Sequence, residues 1–169
     1  LGSASPIGDL LPVLLALDAQ IELRGLAGAR TLAADAFFLD YRRTACCENE
    51  LVTAVRIPRA RHVTAAYKVA KRATDDISIV AAAFALARDE AERVTHARLA
   101  FGGVAAIPTR ARTVEQWLLG RQLDTATLEE AQQRLRGAFT PLDDHRGSAA
   151  YRRALCGTLF ARFVAERLA

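Results

Sequence analysis

The spacing of apolar residues changes once along this chain, and that change constrains the fold more than any other feature. Between residues 63 and 101, apolar side chains alternate with polar ones or run uninterrupted over strand-sized lengths. After Pro108 they recur every three or four positions. The first pattern is typical of β-strands and the second of amphipathic helices. The sequence therefore predicts an α+β fold in which a small antiparallel sheet precedes a group of helices.

The sheet is predicted to contain three antiparallel strands. Residues 63–72 and 95–101 alternate cleanly, and the second stretch ends at Gly102 and Gly103, where we expect a tight bend. Residues 77–88 allow two interpretations. Their alanines favour a helix by propensity, whereas a short apolar run between polar turns is typical of a buried strand. We interpret this stretch as a strand.

Three helices are predicted to follow the sheet. Thr109 is the expected cap of a helix over residues 110–119, which Gly120 ends. Residues 127–130 have the form of a capping box, and Ser148 is expected to open the last helix. The residues expected to face inward are Ala111, Val114, Leu118, Leu128, Ala131, Leu135, Phe139, Tyr151, Leu155, Leu159 and Phe163.

The first third of the chain is predicted to be the remnant of a larger α+β domain. Asp9 is the expected N-cap of its first helix, because Pro12 then falls in the first turn, where no intrahelical amide is needed. The further elements predicted there are a strand over 20–24, a hairpin return over 29–32, a helical turn over 34–38 and a strand over 51–57. The composition turns basic and loop-like over residues 59–62. We therefore expect one domain over residues 1–60 and a second over residues 61–169.

Composition argues against several classes of function. The net charge of +4 is spread without a long basic run, and only 7% of residues are aromatic, so nucleic-acid binding is not expected. No apolar run reaches membrane-spanning length, so no membrane association is expected either. Cys46, Cys47 and Cys156 lack C-x-x-C spacing, and the three histidines lack metal-ligand spacing. Reduced thiols in a cytoplasmic protein, with no metal site, are the expectation.

Seven short motifs occur in order along almost the whole chain, and together they resemble one family. The resemblance is to the FAD-binding small subunit of the molybdenum hydroxylases, and most of all to that of bacterial xanthine dehydrogenases. The motifs occupy residues 1–12, 37–44, 50–58, 67–77, 101–105, 139–142 and 144–153.

The resemblance implies a redox flavoprotein that works within a larger enzyme. In such enzymes electrons pass from a molybdopterin site through 2Fe-2S clusters to FAD, and then by hydride transfer to NAD. The implied partners are a molybdopterin-binding large subunit and an iron–sulfur domain upstream in the same polypeptide, in a heterodimer that itself dimerises. The chain contains no Met, and the family's diphosphate-binding loop is expected upstream of Leu1. We therefore expect a C-terminal portion of a longer polypeptide, which alone binds FAD weakly or not at all and is inactive.

The family motifs also suggest which residues contact the flavin. Asp9 corresponds to a flavin contact, and an ionised carboxylate accepts hydrogen bonds from ribityl or ribose hydroxyls. Without the resemblance, a plain helix N-cap would be enough to explain an aspartate at position 9. Ser3 and Ser5 are candidate donors from the same turn, although ordinary turn hydroxyls would look alike.

Three further residues complete the implied site. Lys68 corresponds to a family lysine near the flavin, where a cation favours an anionic reduced flavin or attracts the phosphates of a nicotinamide cofactor. Val52 corresponds to a position where the backbone approaches the isoalloxazine edge, and Leu51 is its neighbour. The Leu51 and Val52 side chains themselves are expected in the core. No catalytic nucleophile is implied.

Other interpretations stay open. The same fold could serve a carbon monoxide, aldehyde or N-heterocycle dehydrogenase, although residues 144–153 favour xanthine dehydrogenase. A non-catalytic module that only docks subunits is the alternative outside enzymes. Asp75 and Asp76 are expected to form a turn, and Arg152 and Arg153 to lie at a solvated surface or an interface.

Overall fold

The computed structural model describes residues 1–59, 62–72 and 76–168, and it has the predicted α+β architecture. Within these ranges, two larger sheets, one two-stranded ribbon and five helices are organised around two hydrophobic cores. The expected domain boundary includes residues 60 and 61, and the expected turn includes Asp75. These three residues lie outside the described ones.

The N-terminal part contains a three-stranded antiparallel sheet of order β2-β1-β5 and a small two-stranded ribbon, β3-β4. The predicted strands, hairpin return and helical turn of this part are confirmed, and the ribbon is an addition. Its elements are α1 (Leu10–Ala16), β1 (Gln20–Gly25), β2 (Gly28–Ala33), α2 (Ala34–Phe37), β3 (Phe38–Asp40), β4 (Arg43–Thr44) and β5 (Glu50–Arg56).

The second sheet is antiparallel and has the order β6-β7-β8-β9. Its strands are β6 (Val63–Val69), β7 (Val80–Arg88), β8 (Val94–Gly102) and β9 (Thr109–Arg110). The prediction of three strands was therefore one short. Thr109 does not cap a helix, because its backbone pairs with Phe101 as part of β9.

Residues of β7 are buried on both faces of the second sheet, which explains why their sequence was ambiguous. Val80, Phe84 and Leu86 belong to the core under the C-terminal helices. Ala83 faces the other way and, with Ala100 of β8, belongs to the core around α1. A strand covered on both faces shows no polar alternation, and only small residues fit beneath a closely packed helix. The strand interpretation of this stretch is confirmed.

The three C-terminal helices pack on one face of this sheet: α3 (Arg112–Leu118), α4 (Thr125–Gly137) and α5 (Ala149–Arg167). The Ser148 hydroxyl accepts from the Tyr151 amide, so the predicted opening of α5 is confirmed. The capping box over 127–130 was wrong, because α4 begins earlier and the Asp124 carboxylate caps it by accepting from the Thr127 amide at 2.7 Å. Gly120, with φ +76°, follows α3 as predicted.

The inward faces of these helices are as predicted apart from one residue. Tyr151 is 46% exposed, although Ala149 and Arg152 in the same first turn of α5 are buried, so its side chain lies on the outer side of the helix. Leu128 and Phe139 are partly buried against the core. The remaining predicted residues are buried: Ala111, Val114, Leu118, Ala131, Leu135, Leu155, Leu159 and Phe163.

The glycine pair at the end of β8 joins the first turn of the chain to the second sheet. The Gly103 amide donates to the Pro6 carbonyl at 2.8 Å. A β-carbon at Gly102 would lie 3.1 Å from that same carbonyl, and one at Gly103, whose φ is +82°, would overlap the Ile79 carbonyl. The expected tight bend is confirmed, and the close backbone approach fixes the turn before Asp9 against the sheet.

Candidate functional site

Asp9 lies directly before α1, but its side chain does not cap the helix. Its Oδ2 accepts from the Lys68 ammonium at 2.8 Å. Its Oδ1 accepts from the Ser78 hydroxyl. The Asp9 and Lys68 side chains are 48% and 43% exposed, respectively. The carboxylate is therefore held on two sides and still open to a ligand from the solvent side. The expected N-cap position was right, whereas a capping hydrogen bond is not made.

Lys68 and Ser78 lie at opposite ends of the connection between β6 and β7. The Ile79 amide donates to the Val69 carbonyl at 2.7 Å and closes the base of this connection. One Asp9 oxygen binds the strand that enters the connection, and the other binds the segment that leaves it. The carboxylate thus links the start of α1 to both ends of the connection.

The turn before Asp9 presents the two candidate serines in different environments. Ser3 is exposed and Ser5 is half-buried, while Ala4 between them is buried and has φ +43°. The turn is closed by the Ala4 amide on the Leu1 carbonyl at 2.9 Å, and the Ser5 carbonyl accepts from the Gly8 amide at 3.0 Å. In residues 1–59, 62–72 and 76–168 the two hydroxyls find no protein partner. They remain free to donate to a ligand.

Leu51 and Val52 lie on β5, an edge strand of the first sheet. The Leu51 side chain is 74% exposed, so its expected place in the core was wrong; on an edge strand it points to the uncovered face. Val52 is half-buried against the N-terminal core. The register of β1 and β5 shifts here, with Val52 opposite Leu23. The outer edge of β5 carries backbone groups that its partner β1 does not use.

The structure brings into contact Asp9 and Lys68, which the motifs had each assigned to the flavin site, and it adds Ser78, which sequence reasoning missed. Ser78 is buried although it is polar, and it stands between two isoleucines at the start of an apolar stretch. A lone hydroxyl in such a place is the signal that could have found it, since buried hydroxyls need partners. Among the described contacts, no hydrogen bond or ion pair joins Leu51 or Val52 to Asp9.

Arg152 is a second buried polar group next to this region, so its expected place at a solvated surface or an interface was wrong. Its guanidinium donates to the Ile79 and Gly103 carbonyls and to Asp144 Oδ1, the last at 2.7 Å. Burial by itself would raise the pKa of Asp144, but hydrogen bonds from the Arg146 and Gly147 amides and the Arg152 ion pair lower it. The charged pair braces the bend at the end of β8.

The remaining titratable clusters offer no metal centre. Among the residues that the structure describes, no group of three or more His, Cys, Asp or Glu side chains could hold a metal ion. His62 and His96 stack on each other with ring centroids 3.9 Å apart. Cys46, Cys47 and Cys156 are free thiols. Within the described ranges, no helix has the length and apolar character needed to cross a bilayer.

Two family models match the chain. Residues 65–167 match the CO dehydrogenase flavoprotein C-terminal domain, and residues 1–60 match the FAD binding domain in molybdopterin dehydrogenase. A search of curated proteins found similarity to xanthine dehydrogenase of Blastobotrys adeninivorans, with 36% identity over 99% of this chain and 13% of that protein. It also found the glyceraldehyde dehydrogenase medium chain of Sulfolobus acidocaldarius, with 31% identity over 98% of this chain and 59% of that protein.

The structural comparison agrees. The CO dehydrogenase of Oligotropha carboxidovorans superposes with a TM-score of 0.89 and 30% identity over 97% of this chain and 57% of that chain. The chain therefore spans less than two thirds of the length of these relatives. The matched ranges, the relatives and the superposed fold agree, and the chain belongs to the flavoproteins of the molybdenum hydroxylase family, as a member of the CO dehydrogenase flavoprotein C-terminal domain family.

Proposed function

We propose that this chain forms part of the FAD subunit of a molybdenum-containing xanthine dehydrogenase, which passes electrons from iron–sulfur clusters through FAD to NAD. The observation that carries the proposal is the Asp9 carboxylate, which is held by Lys68 and Ser78 and open to solvent on its remaining side. FAD, when bound, supplies the hydride chemistry. The chain's own residues bind and orient it.

The donor and acceptor chemistry of the Asp9 region fits a flavin side chain. A carboxylate has about four lone-pair sites, and Lys68 and Ser78 use one on each oxygen. The remaining sites can accept from ribityl or ribose hydroxyls. Ser3 and Ser5 can donate to ligand oxygens from the adjoining turn. The Lys68 ammonium adds a positive charge that favours an anionic reduced flavin or a nicotinamide cofactor's phosphates.

The edge strand β5 supports the second part of the proposed site. Its outer backbone groups are not used by β1, so the main chain at Leu51 and Val52 can approach the edge of a planar ring. The exposed Leu51 side chain offers an apolar contact beside it. These residues would complete the site only together with protein that contacts Asp9 from another direction.

The rest of the proposal concerns the whole enzyme. We place the boundary between the partial FAD-binding domain and the C-terminal domain at residues 60 and 61, in line with the ranges of the two matches. The partners would be an upstream iron–sulfur domain in the same polypeptide and a molybdopterin-binding large subunit, in a cytoplasmic heterodimer that dimerises.

Xanthine is the proposed substrate because the relatives with more than a third of residues identical include xanthine dehydrogenase. The similarity to a glyceraldehyde dehydrogenase medium chain, to a nicotinate hydroxylase and to CO dehydrogenase keeps an aldehyde, an N-heterocycle or carbon monoxide as the alternative. We expect the substrate to be oxidised at the molybdenum site on another subunit, so the residues of this chain are compatible with each of these substrates. Assays of the purified enzyme with xanthine, an aldehyde, an N-heterocycle such as nicotinate and carbon monoxide would decide between them.

FAD binding tests the proposal directly. The full-length polypeptide that contains this sequence is titrated with FAD, as wild type, Asp9→Asn and Asp124→Asn. Asp124 is the matched control, because it also precedes a helix but binds only the helix amide of Thr127. We expect Asp9→Asn alone to weaken binding about tenfold or more, since it removes a charged acceptor.

The same titration on the 169-residue chain should give weaker binding than the full-length polypeptide, because we expect further contacts to FAD outside these residues. Unchanged FAD affinity in the longer Asp9→Asn variant would contradict the proposal. A subunit-docking role without flavin would then account better for the chain.

A further inference from the structure

Ser78 contacts the proposed flavin-binding carboxylate and is itself buried, so it is not open to a ligand. Its side chain is 1% exposed, and its hydroxyl donates to Asp9 Oδ1. We propose that Ser78 is a positioning residue: it fixes the rotation of the Asp9 carboxylate so that the free lone pairs face the flavin hydroxyls. This inference rests on the proposed function and adds a residue that the family motifs do not name.

The geometry requires a second point of attachment. A salt bridge to the flexible, half-exposed Lys68 side chain restrains one oxygen but leaves the carboxylate free to rotate about its own bond. Ser78 is short and lies on buried backbone, so its hydroxyl occupies a fixed place. Holding Oδ1 and Oδ2 from two different segments defines the plane of the carboxylate. A ligand then meets an acceptor that needs no rearrangement, which lowers the cost of binding.

The segment that carries Ser78 is itself well anchored. The next residue, Ile79, donates its amide to Val69 and gives its carbonyl to the buried Arg152 guanidinium. Arg152 also binds Gly103, which in turn holds the Pro6 carbonyl of the turn before Asp9. The hydroxyl and the carboxylate it binds are therefore attached to one braced unit, so their relative position does not depend on a surface loop.

The first test needs no flavin. In the 169-residue chain labelled with carbon-13 at aspartate carboxyls, Ser78→Ala should shift the Asp9 carboxyl resonance, while Ser78→Thr, which keeps the hydroxyl, should leave it near its wild-type position. The Asp124 resonance serves as an internal reference. An Asp9 resonance that does not respond to Ser78→Ala would overturn the hydrogen bond on which the inference rests.

The second test measures FAD binding by the longer flavin-binding polypeptide. Ser78→Ala should weaken FAD binding about five- to tenfold, Ser78→Thr should recover most of that loss, and the double variant with Asp9→Asn should bind no more weakly than Asp9→Asn alone. Positioning through Asp9 predicts this lack of additivity, whereas general destabilisation would add a further loss.

The outcomes separate the two proposals. If Asp9→Asn weakens binding and Ser78→Ala does not, the Ser78 inference fails and the flavin site stands. If Asp9→Asn has no effect, the flavin site fails, and the carboxyl resonance still reports whether Ser78 holds Asp9. Additive losses in the double variant would also overturn the positioning role.

Discussion

The Arg110 guanidinium lies 2.6 Å from the Glu115 carboxylate, and both side chains are more than nine-tenths withdrawn from solvent. Glu115 also accepts from the Leu99 amide at 2.8 Å, so it ties the first turn of α3 to β8. Arg110 reaches further, to Asp18 after α1 and to Asp35 of α2. This network joins α3 and the strands β8 and β9 to the N-terminal elements.

Replacing Glu115 should therefore destabilise the protein strongly. Glu115→Ala leaves Arg110 buried without its main partner and the Leu99 amide without an acceptor. We expect the free energy of unfolding to fall by about 3 kcal/mol or more, measured by urea denaturation. The matched control is Glu130→Ala, which removes an exposed ion pair with Arg134 one helical turn away and should cost about 0.5 kcal/mol. Equal losses in the two variants would contradict this account.

Acid stability should depend on Glu50. Hydrogen bonds from Arg30 and the Cys47 amide lower the pKa of Glu50 to about 2 from its ordinary value of 4.5. A carboxyl whose pKa is lowered in the folded state stabilises that state above pH 4.5, and the stabilisation is lost as the pH falls toward 2. Because the pair is solvent-accessible, high salt should weaken the effect.

The measurement is the denaturation midpoint of wild type and Glu50→Gln between pH 6 and pH 2. The two proteins should differ most at pH 6 and converge near pH 2. A difference that grows as the pH falls would have the wrong sign and would contradict the ion-pair explanation.

Thiol labelling should distinguish the three cysteines. Burial raises the pKa of the Cys156 thiol to about 12, so the reactive thiolate is scarce there and reagents have no access. Cys47 is exposed and Cys46 is half-buried. Iodoacetamide at pH 8 should modify Cys47 first and leave Cys156 unmodified until the protein is denatured, as read by peptide mass spectrometry. Early modification of Cys156 in the folded protein would refute the core placement.

Lys68 should influence the redox properties of bound flavin. Removing a positive charge near the flavin disfavours the anionic reduced form, so Lys68→Met should lower the midpoint potential of the intact flavoprotein by about 20 to 50 mV. Lys71→Met is the matched control, because the Lys71 ammonium binds the His145 carbonyl at 2.6 Å instead of Asp9. Spectroelectrochemical titration gives both values. Equal potentials in the two variants would remove Lys68 from the proposed site.

Much of the fold followed from local patterns because the patterns report burial. The alternation of β6 predicted one apolar face with Val63, Ala65, Tyr67 and Val69 on it. The last three pack against the core under the helices, whereas Val63 is exposed. Helix starts were harder to predict, because several polar residues near a boundary compete to cap. Thr109 and Thr127 both have side chains suitable for capping. Thr109 instead pairs with β8 as part of β9, and α4 is capped by Asp124, three residues before Thr127.

The candidate site was only partly accessible to sequence reasoning. Asp9 and Lys68 came from family motifs, 59 positions apart, and no local signal places them 2.8 Å from each other. Ser78 and Arg152 were missed or misplaced for a shared reason. Each is a polar residue whose partners lie far away along the chain, so its burial depends on tertiary contacts that periodicity does not encode.

The alanine-lined face of β7 and β8 sets the distance between α1 and the second sheet. Ala83 and Ala100 meet α1 there, and a β-carbon at Gly102 would come within 3.2 Å of the Pro12 ring. Enlarging any of the three would lift the start of that helix, and Asp9 stands immediately before it. Side-chain size deep inside the protein should therefore set how far the Asp9 carboxylate lies from Lys68 and Ser78. With Asp9 in the proposed flavin site, interior mutations should change FAD affinity without touching the ligand.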